Sequence, residues 1–331
     1  MAVLLAYFSV VLIWATTPLA IQWSSDSLSF MAAAVTRMLI ALAIALSFFA
    51  IVRQSFAVFW QHRLIYFAAS IGIFPNMPVV YWAAQFIPSG LVAVIFALLP
   101  FVTGVMTLLL LKKNPFSLKK VLALLLALTG LVIIFFHQLH FDFRSVYGIS
   151  GILLSCVLFS FSSVWVKKLT EQHALSVDAF HQATGSLLFA LPGLLLSWWV
   201  MDGEIPQAIS IKSAGSVVYL AIVGSLIGSA LFFYILQRLS ASAVSLITLM
   251  TPVLAILIGK NLADEELSSH TLFGVALVLV ALLFYSSWSF AGIASWCSQK
   301  LLSGLQSHAI DDDKNAESAI QEARDDMIRY K

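Results

Sequence analysis

The chain has 331 residues, of which 61% are hydrophobic and 10% charged, with a formal net charge of +2 and a mean hydropathy of +0.97. A soluble domain could not bury this much apolar side chain, so the composition excludes a soluble protein and predicts an all-α integral membrane protein. The near-neutral charge gives no indication of nucleic-acid binding, and the two cysteines lack metal-ligand spacing. Neither nucleic acid nor a metal or other cofactor is therefore expected.

The apolar segments are long enough to form ten transmembrane helices. A helix needs about 20 apolar residues to cross a hydrocarbon core of about 30 Å, whereas barrel strands would alternate over about ten residues. No basic region precedes the first segment, which favours a retained span over a secretory signal. In chain order the predicted spans are 2–22, 30–52, 64–85, 90–111, 118–136, 147–166, 178–200, 214–236, 243–260 and 268–290.

The charges in the connections predict the orientation of these spans. With the N-terminus in the cytoplasm, the inner loops hold nine Lys and Arg residues and the outer loops hold three. This distribution follows the positive-inside rule. The expected location is the plasma (inner) membrane of a bacterium, crossed many times, with both termini cytoplasmic.

The second half of the chain repeats the first. A shift of 152 residues places 72–100 over 224–252 without a gap, so that Gly72 meets Gly224 and Pro100 meets Pro252. Each unit has five spans, an odd number, so the second unit enters the membrane from the opposite side. The predicted domains are a first five-helix repeat at 1–138, an inverted second repeat at 145–291, and a polar cytoplasmic tail at 292–331. Inverted repeats are typical of carriers with a central cavity near midplane.

Three of the predicted spans contain residues that weaken a helix near the middle of the membrane. Span 3 has Pro75, Asn76 and Pro78, and spans 4 and 9 carry Pro100 and Pro252. A proline inside a helix leaves the carbonyl four residues earlier without its hydrogen bond. Such a carbonyl needs a partner from protein, water or substrate, so these places are expected to border the central cavity.

These features resemble the drug/metabolite transporter superfamily, EamA type. Glu265 follows Pro252 by thirteen residues in ADEELSS, similar to the family's leucine-glycine-glutamate motif, whereas Lys113 holds that place in the first half. The family's first-span tryptophan resembles Trp14 in LIWATTP, and its second-span arginine resembles Arg37 in TRMLIAL. The resemblance spans 2–290 and implies a basket of spans 1–4 and 6–9 around the cavity, with spans 5 and 10 at its periphery.

Several candidate cavity residues have an equally simple structural explanation. Arg37 lies about 10 Å deep at about 1.5 Å per residue, so it could bind substrate or extend its side chain to the surface. Asn76 could contact substrate or bond a freed carbonyl. The serines near Ser160 could allow close helix packing, and aromatic residues are common at membrane interfaces. The substrate-binding candidates are Trp14, Arg37, Asn76, Trp82, Pro100, Ser160, Ser229, Tyr234, Thr248 and Pro252.

The predicted function is a secondary carrier that moves small metabolites by alternating access, with export as the direction. The expected cavity is neutral and aromatic with one cation near its outer mouth, which favours amino-acid-like or amphipathic compounds. No acidic residue lies deep in a span, so proton coupling has little support. A facilitative channel, a drug-efflux carrier and a membrane-embedded enzyme are the alternatives, and enzyme motifs are missing. The partners expected are a small-molecule substrate and the lipid bilayer, with a homodimer possible.

Overall fold

The computed structural model describes residues 2–54, 57–83, 85–87, 92, 95–135, 144–173, 177–201, 203, 208–251, 253–254, 269–270, 272–281 and 284. Within these ranges all regular structure is helical, without a strand. Pro252, Glu265 and the predicted tail at 292–331 lie outside the described residues.

Twelve helices are described. Their bounds are α1 (Ala2–Ser24), α2 (Phe30–Ile51), α3 (Ala57–Gln61), α4 (Arg63–Ser70), α5 (Asn76–Ala83), α6 (Leu99–Leu111), α7 (Leu118–Phe135), α8 (Ser145–His173), α9 (Ala179–Met201), α10 (Ile211–Arg238), α11 (Ala241–Thr251) and α12 (Leu272–Ala281). By length and composition, α2, α9, α10 and residues Ser145–Gln172 of α8 can each cross a membrane. The predicted helical membrane fold is confirmed at this level, and the ten-span inverted repeat stays a prediction.

Serine residues begin three of the helices. The hydroxyl of Ser29 accepts a hydrogen bond from Ala32 N at 3.1 Å, and Ser210 accepts one from Ser213 N at 3.1 Å. Ser240 does the same at the start of α11. These bonds satisfy N–H groups of the first turn, which have no carbonyl partner inside the helix. Short loops can therefore lead directly into apolar helices.

The predicted third span is two helices rather than one. Residues 71–75 form turns between α4 and α5, where Pro75 cannot donate a hydrogen bond and Gly72 is present. The matched segment of the second half is also not α-helical, because Leu220–Ile227 forms a π-helix in the middle of α10. The first segment contains Gly72 and the second contains Gly224, which the 152-residue shift pairs.

The structure corrects the expectation for Pro100. We expected a proline inside a helix, but α6 begins at Leu99 after a turn at 97–98, so Pro100 lies in the first turn. The missing N–H has no cost there, because first-turn N–H groups have no carbonyl partner within the helix. The chain therefore leaves helical structure before Pro100, and Pro100 lies in the first turn of α6.

The helices interlock through small residues. Helix α9 packs on α4 and α2, α8 packs on α5 and α6, and α1 packs on α10. Gly185 of α9 lies directly against the ring of Tyr66, and Gly193 lies against the ring of Phe74 in the turn 71–75. Any side chain at these glycines would occupy the space of those rings. The broken segment is therefore held against α9 by close backbone approach.

Candidate functional site

Helices α1 and α10 meet along a seam that combines polar groups with glycines. The hydroxyl groups of Thr16 and Tyr219 are 2.7 Å apart and hydrogen-bonded. A Cβ placed on Gly224 would lie 3.9 Å from Thr17 Oγ1, and one on Gly228 would lie 3.5 Å from Trp14 Nε1. The seam therefore runs beside the π-helical segment and ends at the Trp14 ring.

Arg37 of α2 reaches the same segment from the other side. Its side chain is 5% exposed, and its Nε donates a hydrogen bond to Ser225 Oγ at 3.1 Å. Arg37 Nη1 is also buried and has no hydrogen-bond partner among the described residues. The side chain thus points into the protein and does not extend to the membrane surface.

Asn76 is buried at the first position of α5, immediately after the turn 71–75. Its Nδ2 donates to Gly72 O at 3.0 Å, as expected for an amide that satisfies a carbonyl in a broken helix. The other amide atom, Oδ1, is buried without a partner in the described part of the chain. Asn76 therefore stabilises the turn and keeps one acceptor available.

Three aromatic rings from three helices contact one another. Trp14 stacks on Phe232 of α10 with centroids 5.5 Å apart, and its edge meets Phe159 of α8 at 6.2 Å. Phe159 and Phe232 are also 5.5 Å apart. We call these three residues the aromatic cluster. Offset and edge-to-face pairs of this kind add to the stability from apolar burial.

A small cavity lies against the aromatic cluster. Its volume is about 10 Å³, which is room for about one water molecule. Apolar side chains alternate with hydroxyl groups around it, and Ser160 adds a hydrogen bond of 2.9 Å to Thr103 at its edge. The lining residues are Thr103, Phe159, Ser163, Phe232, Leu236, Ala241, Val244 and Ser245. This space is too small for a metabolite, and the central cavity expected from the sequence stays a prediction.

The structure brings together some of the predicted site residues and separates others. Trp14 and Ser160 lie at the aromatic cluster and the cavity edge, and Thr248 is near the cavity because its Oγ1 bonds Ser245 O at 2.8 Å. Arg37 and Asn76 form the polar positions described above. Ser229 is half-buried in α10, one residue after Gly228, and Pro100 is buried in α6.

Two predicted residues lie away from this region. Trp82 is 36% exposed and packs against Phe86 and Tyr147, so it faces outward and not into a cavity. Tyr234 lies beneath the guanidinium of Arg238, 3.6 Å from the ring centroid, at the end of α10. Pro252 falls outside the described residues.

Sequence reasoning missed a polar network at the end of α10. Gln237 Nε2 donates to Gln182 Oε1 at 2.9 Å and to Val177 O at 2.8 Å. Lys167 Nζ donates to the carbonyls of Leu236 and Gln237 at 3.0 and 3.1 Å, which satisfies the last carbonyls of α10. The signal was present in the sequence as polar residues at predicted span ends, but it indicated an interface and not their pairing.

Asp178 begins α9 beside this network. Its carboxylate accepts hydrogen bonds from Phe180 N at 2.9 Å and His181 N at 3.2 Å, and the His181 ring bonds Gln54 at 2.6 Å. Burial raises the pKa of Asp178, but the hydrogen bonds from His181 and Phe180 outweigh it, so the pKa lies below its ordinary value of 3.8. The carboxylate is therefore ionised at neutral pH.

Long apolar helices, four of which can each cross a membrane, indicate a multi-pass membrane protein. The model of the EamA-like transporter family matches residues 1–136 and 146–287. The chain belongs to this family.

The chain is also similar to individual proteins, one of which is named as a transporter. Protein PecM of Dickeya dadantii is 27% identical over 225 residues, covering 68% of this chain and 73% of its own. The uncharacterized transporter YoaV of Bacillus subtilis is 22% identical over 292 residues, covering 87% and 98% of the two chains. A protein of known crystal structure shares the fold with a TM-score of 0.70 at 18% identity, covering 87% of this chain and 97% of its own.

Proposed function

We propose that the protein is a secondary carrier that exports small amino-acid-like or amphipathic metabolites across the inner membrane by alternating access. The observation that carries this proposal is the pair of interrupted helices, at 71–75 and at Leu220–Ile227. They occupy matched positions of the two halves, as expected for inverted repeats that exchange conformations around one site. The two separate matches of the family model, 1–136 and 146–287, also support two repeats.

The aromatic cluster acts as the barrier of the closed state. Its three rings come from three helices; Phe159 and Phe232 line the small cavity, and Trp14 packs on both of them. A substrate larger than water can pass when these rings separate, which requires α1 and α10 to move apart. Closure around the site also excludes water from the substrate path, as an alternating-access cycle requires. A facilitative channel or drug-efflux carrier is the alternative function.

Export is tested by an untargeted comparison of spent medium from cells with and without overproduced protein. We expect at least one amino-acid-like or amphipathic compound to accumulate outside the overproducing cells. Counterflow in proteoliposomes then separates a carrier from a channel, because a carrier saturates and is accelerated by substrate on the opposite side. Lack of any enriched compound would contradict constitutive export.

Alternating access is tested by locking the α1–α10 seam. Thr17 and Gly224 are close enough for a disulfide in a T17C/G224C variant, with Cys297→Ser to remove the second native thiol. Cys156 remains, because it is fully buried. We expect oxidation to stop transport of the compound found in the medium and reduction to restore it, while each single-cysteine variant transports under both conditions. Transport through the oxidised double variant would refute movement at this seam.

A further inference from the structure

We propose that Arg37 and Ser225 bind a carboxylate group of the transported molecule. This inference rests on the proposed carrier function and names the chemical group that its site recognises. The guanidinium supplies the charge, and the Ser225 hydroxyl, bonded to Nε, fixes the orientation of the fork. Guanidinium groups recognise carboxylates through their N–H donors, and the buried Nη1 has such a donor without a partner among the described residues.

The burial of Arg37 makes an anionic partner necessary. Of the charged side chains that the structure describes, Arg37 is the one in the buried class, and no described carboxylate forms an ion pair with it. An ionised group in an apolar environment is costly when it is not paired. A carboxylate ligand would supply both the missing countercharge and the missing acceptor for Nη1.

The location of Ser225 connects anion binding to helix geometry. Ser225 lies within the π-helix at Leu220–Ile227, and π-helical turns inside α-helices are frequent at functional sites. Gly224 precedes it, and a Cβ there would have its nearest neighbours 3.5 Å or more away. Ser225 therefore lies in a buried segment whose backbone departs from the α-helix.

The number of cations favours a carboxylate over a polyphosphate. Several Arg or Lys side chains usually surround a polyphosphate, whereas one guanidinium matches the single charge of a carboxylate. The apolar residues around Arg37 include Val35, Met38 and Leu226. The ligand that fits this combination has one carboxylate on an apolar or aromatic body.

The test uses two probes that differ in charge but share an aromatic body. Phenylacetate carries the carboxylate, and 2-phenylethylamine carries an ammonium group instead. Thermal unfolding of the purified full-length protein is measured with each probe, for the parent and for Arg37→Gln. Arg63→Gln is the matched control, because Arg63 is exposed at the start of α4.

We expect phenylacetate, and not 2-phenylethylamine, to raise the melting temperature of the parent and of R63Q. In R37Q the dissociation constant for phenylacetate should increase by about 10- to 100-fold, the range for a lost charge-assisted hydrogen bond. Equal stabilisation by the amine, an unchanged phenylacetate response in R37Q, or no response of the parent to phenylacetate would each overturn the proposal.

The unliganded variant gives a second, independent readout. Because an unpaired buried charge is removed, R37Q without probe should melt at the same temperature as the parent or higher. A purely structural role of Arg37 predicts the reverse, and a clear fall in melting temperature would count against a ligand site. Export of a compound that is unaffected by R37Q would leave the carrier function standing and reject the carboxylate site. Arg37-dependent binding of phenylacetate without export of any compound would support the carboxylate site and contradict the proposed export function.

Discussion

Hydroxyl groups inside the helices mostly bond to their own backbone. Thr17 Oγ1 donates to Ile13 O at 2.7 Å, Thr107 Oγ1 to Thr103 O at 2.8 Å, and Ser163 Oγ to Phe159 O at 2.8 Å. Such bonds let polar residues lie in an apolar environment without an unsatisfied donor. The buried polar atoms that lack a partner, such as Arg37 Nη1 and Asn76 Oδ1, therefore contrast with a well-satisfied background.

Asp178 gives a residue-scale prediction on pH. Its folded pKa is lower than the unfolded value of 3.8, so its contribution to stability is present above pH 3.8 and is lost as the pH falls through the folded pKa. Asp178→Asn keeps an oxygen acceptor for the helix start but does not titrate. We expect the melting temperature of the parent to fall more steeply than that of D178N as the pH is lowered from 3.8 through the folded pKa.

The same position separates charge from capping. Asp178→Ala removes the acceptor for Phe180 N and His181 N, and should lower the free energy of unfolding by about 1 kcal/mol at neutral pH. D178N should lose less, because asparagine is an equally good N-cap. Equal losses in the two variants at neutral pH would contradict this assignment.

At the scale of elements, close helix approach gives a prediction with a built-in control. A Cβ on Gly130 of α7 would lie 2.7 Å from Gly274 O of α12 and 2.9 Å from Val278 Cγ2. A Cβ on Gly215 of α10 would have no atom of the described residues within 4 Å. Gly130→Ala should therefore destabilise the protein by about 1–3 kcal/mol through overpacking.

Gly215→Ala should instead increase the stability of the folded protein. Alanine is the better residue inside a helix by about 0.5–1 kcal/mol, and here it meets no neighbour. Thermal unfolding of both variants in one detergent measures the difference. A stable G130A protein would show that α7 and α12 separate easily, and a destabilised G215A protein would contradict the open space beside α10.

Simple apolar helices were predictable from the sequence, and their interruptions were only partly so. The predicted span 30–52 is observed as Phe30–Ile51, and 178–200 as Ala179–Met201. Prolines and Gly72 indicated an interruption in span 3. The π-helix at Leu220–Ile227 has about one more residue per turn than an α-helix, and it depends on side-chain packing that the sequence pattern does not specify. Helix α8 continues to His173, beyond its predicted end at 166, because Lys167 finds carbonyl partners on α10.

The candidate site was predictable as a list of residues, but not as a set of contacts. Arg37 was a candidate because it is a charge inside a span, yet its partner Ser225 is 188 residues away in sequence. Phe159 and Phe232 were not singled out, since aromatic residues are frequent throughout the chain and nothing local marks those that meet Trp14. Long-range pairing depends on how helices pack, and composition and periodicity do not specify it.

At the scale of the whole molecule, two exposed ion pairs each join a loop residue to a helix residue. Lys212 bonds Asp26 at 2.9 Å, and Lys113 bonds Glu171 at 2.9 Å. The charge distribution predicts that the first pair is external and the second cytoplasmic. Because exposed ion pairs add little stability, their value here is as markers of the two faces.

The orientation can be measured by labelling introduced cysteines with a membrane-impermeant maleimide. In a C297S background, Ile209→Cys should react in intact cells, and Gln61→Cys should react after permeabilisation. Both parent residues are exposed, and the remaining thiol at Cys156 is buried. The reverse labelling pattern would place the N-terminus outside and contradict the orientation predicted from the loop charges.

The helix interruptions of the two halves differ in their proline content, and therefore in how easily their backbones can bend. This difference affects the protein when no substrate is bound. Pro75 and Pro78 fix the backbone around 71–75, whereas Leu220–Ile227 contains no proline and can exchange π for α turns with small movements. Under the alternating access proposed above, hinges of unequal stiffness would make the two open conformations unequal in free energy. We therefore expect the protein without substrate to populate mainly the conformation that is open to one side of the membrane. It would then bind substrate mainly from that side.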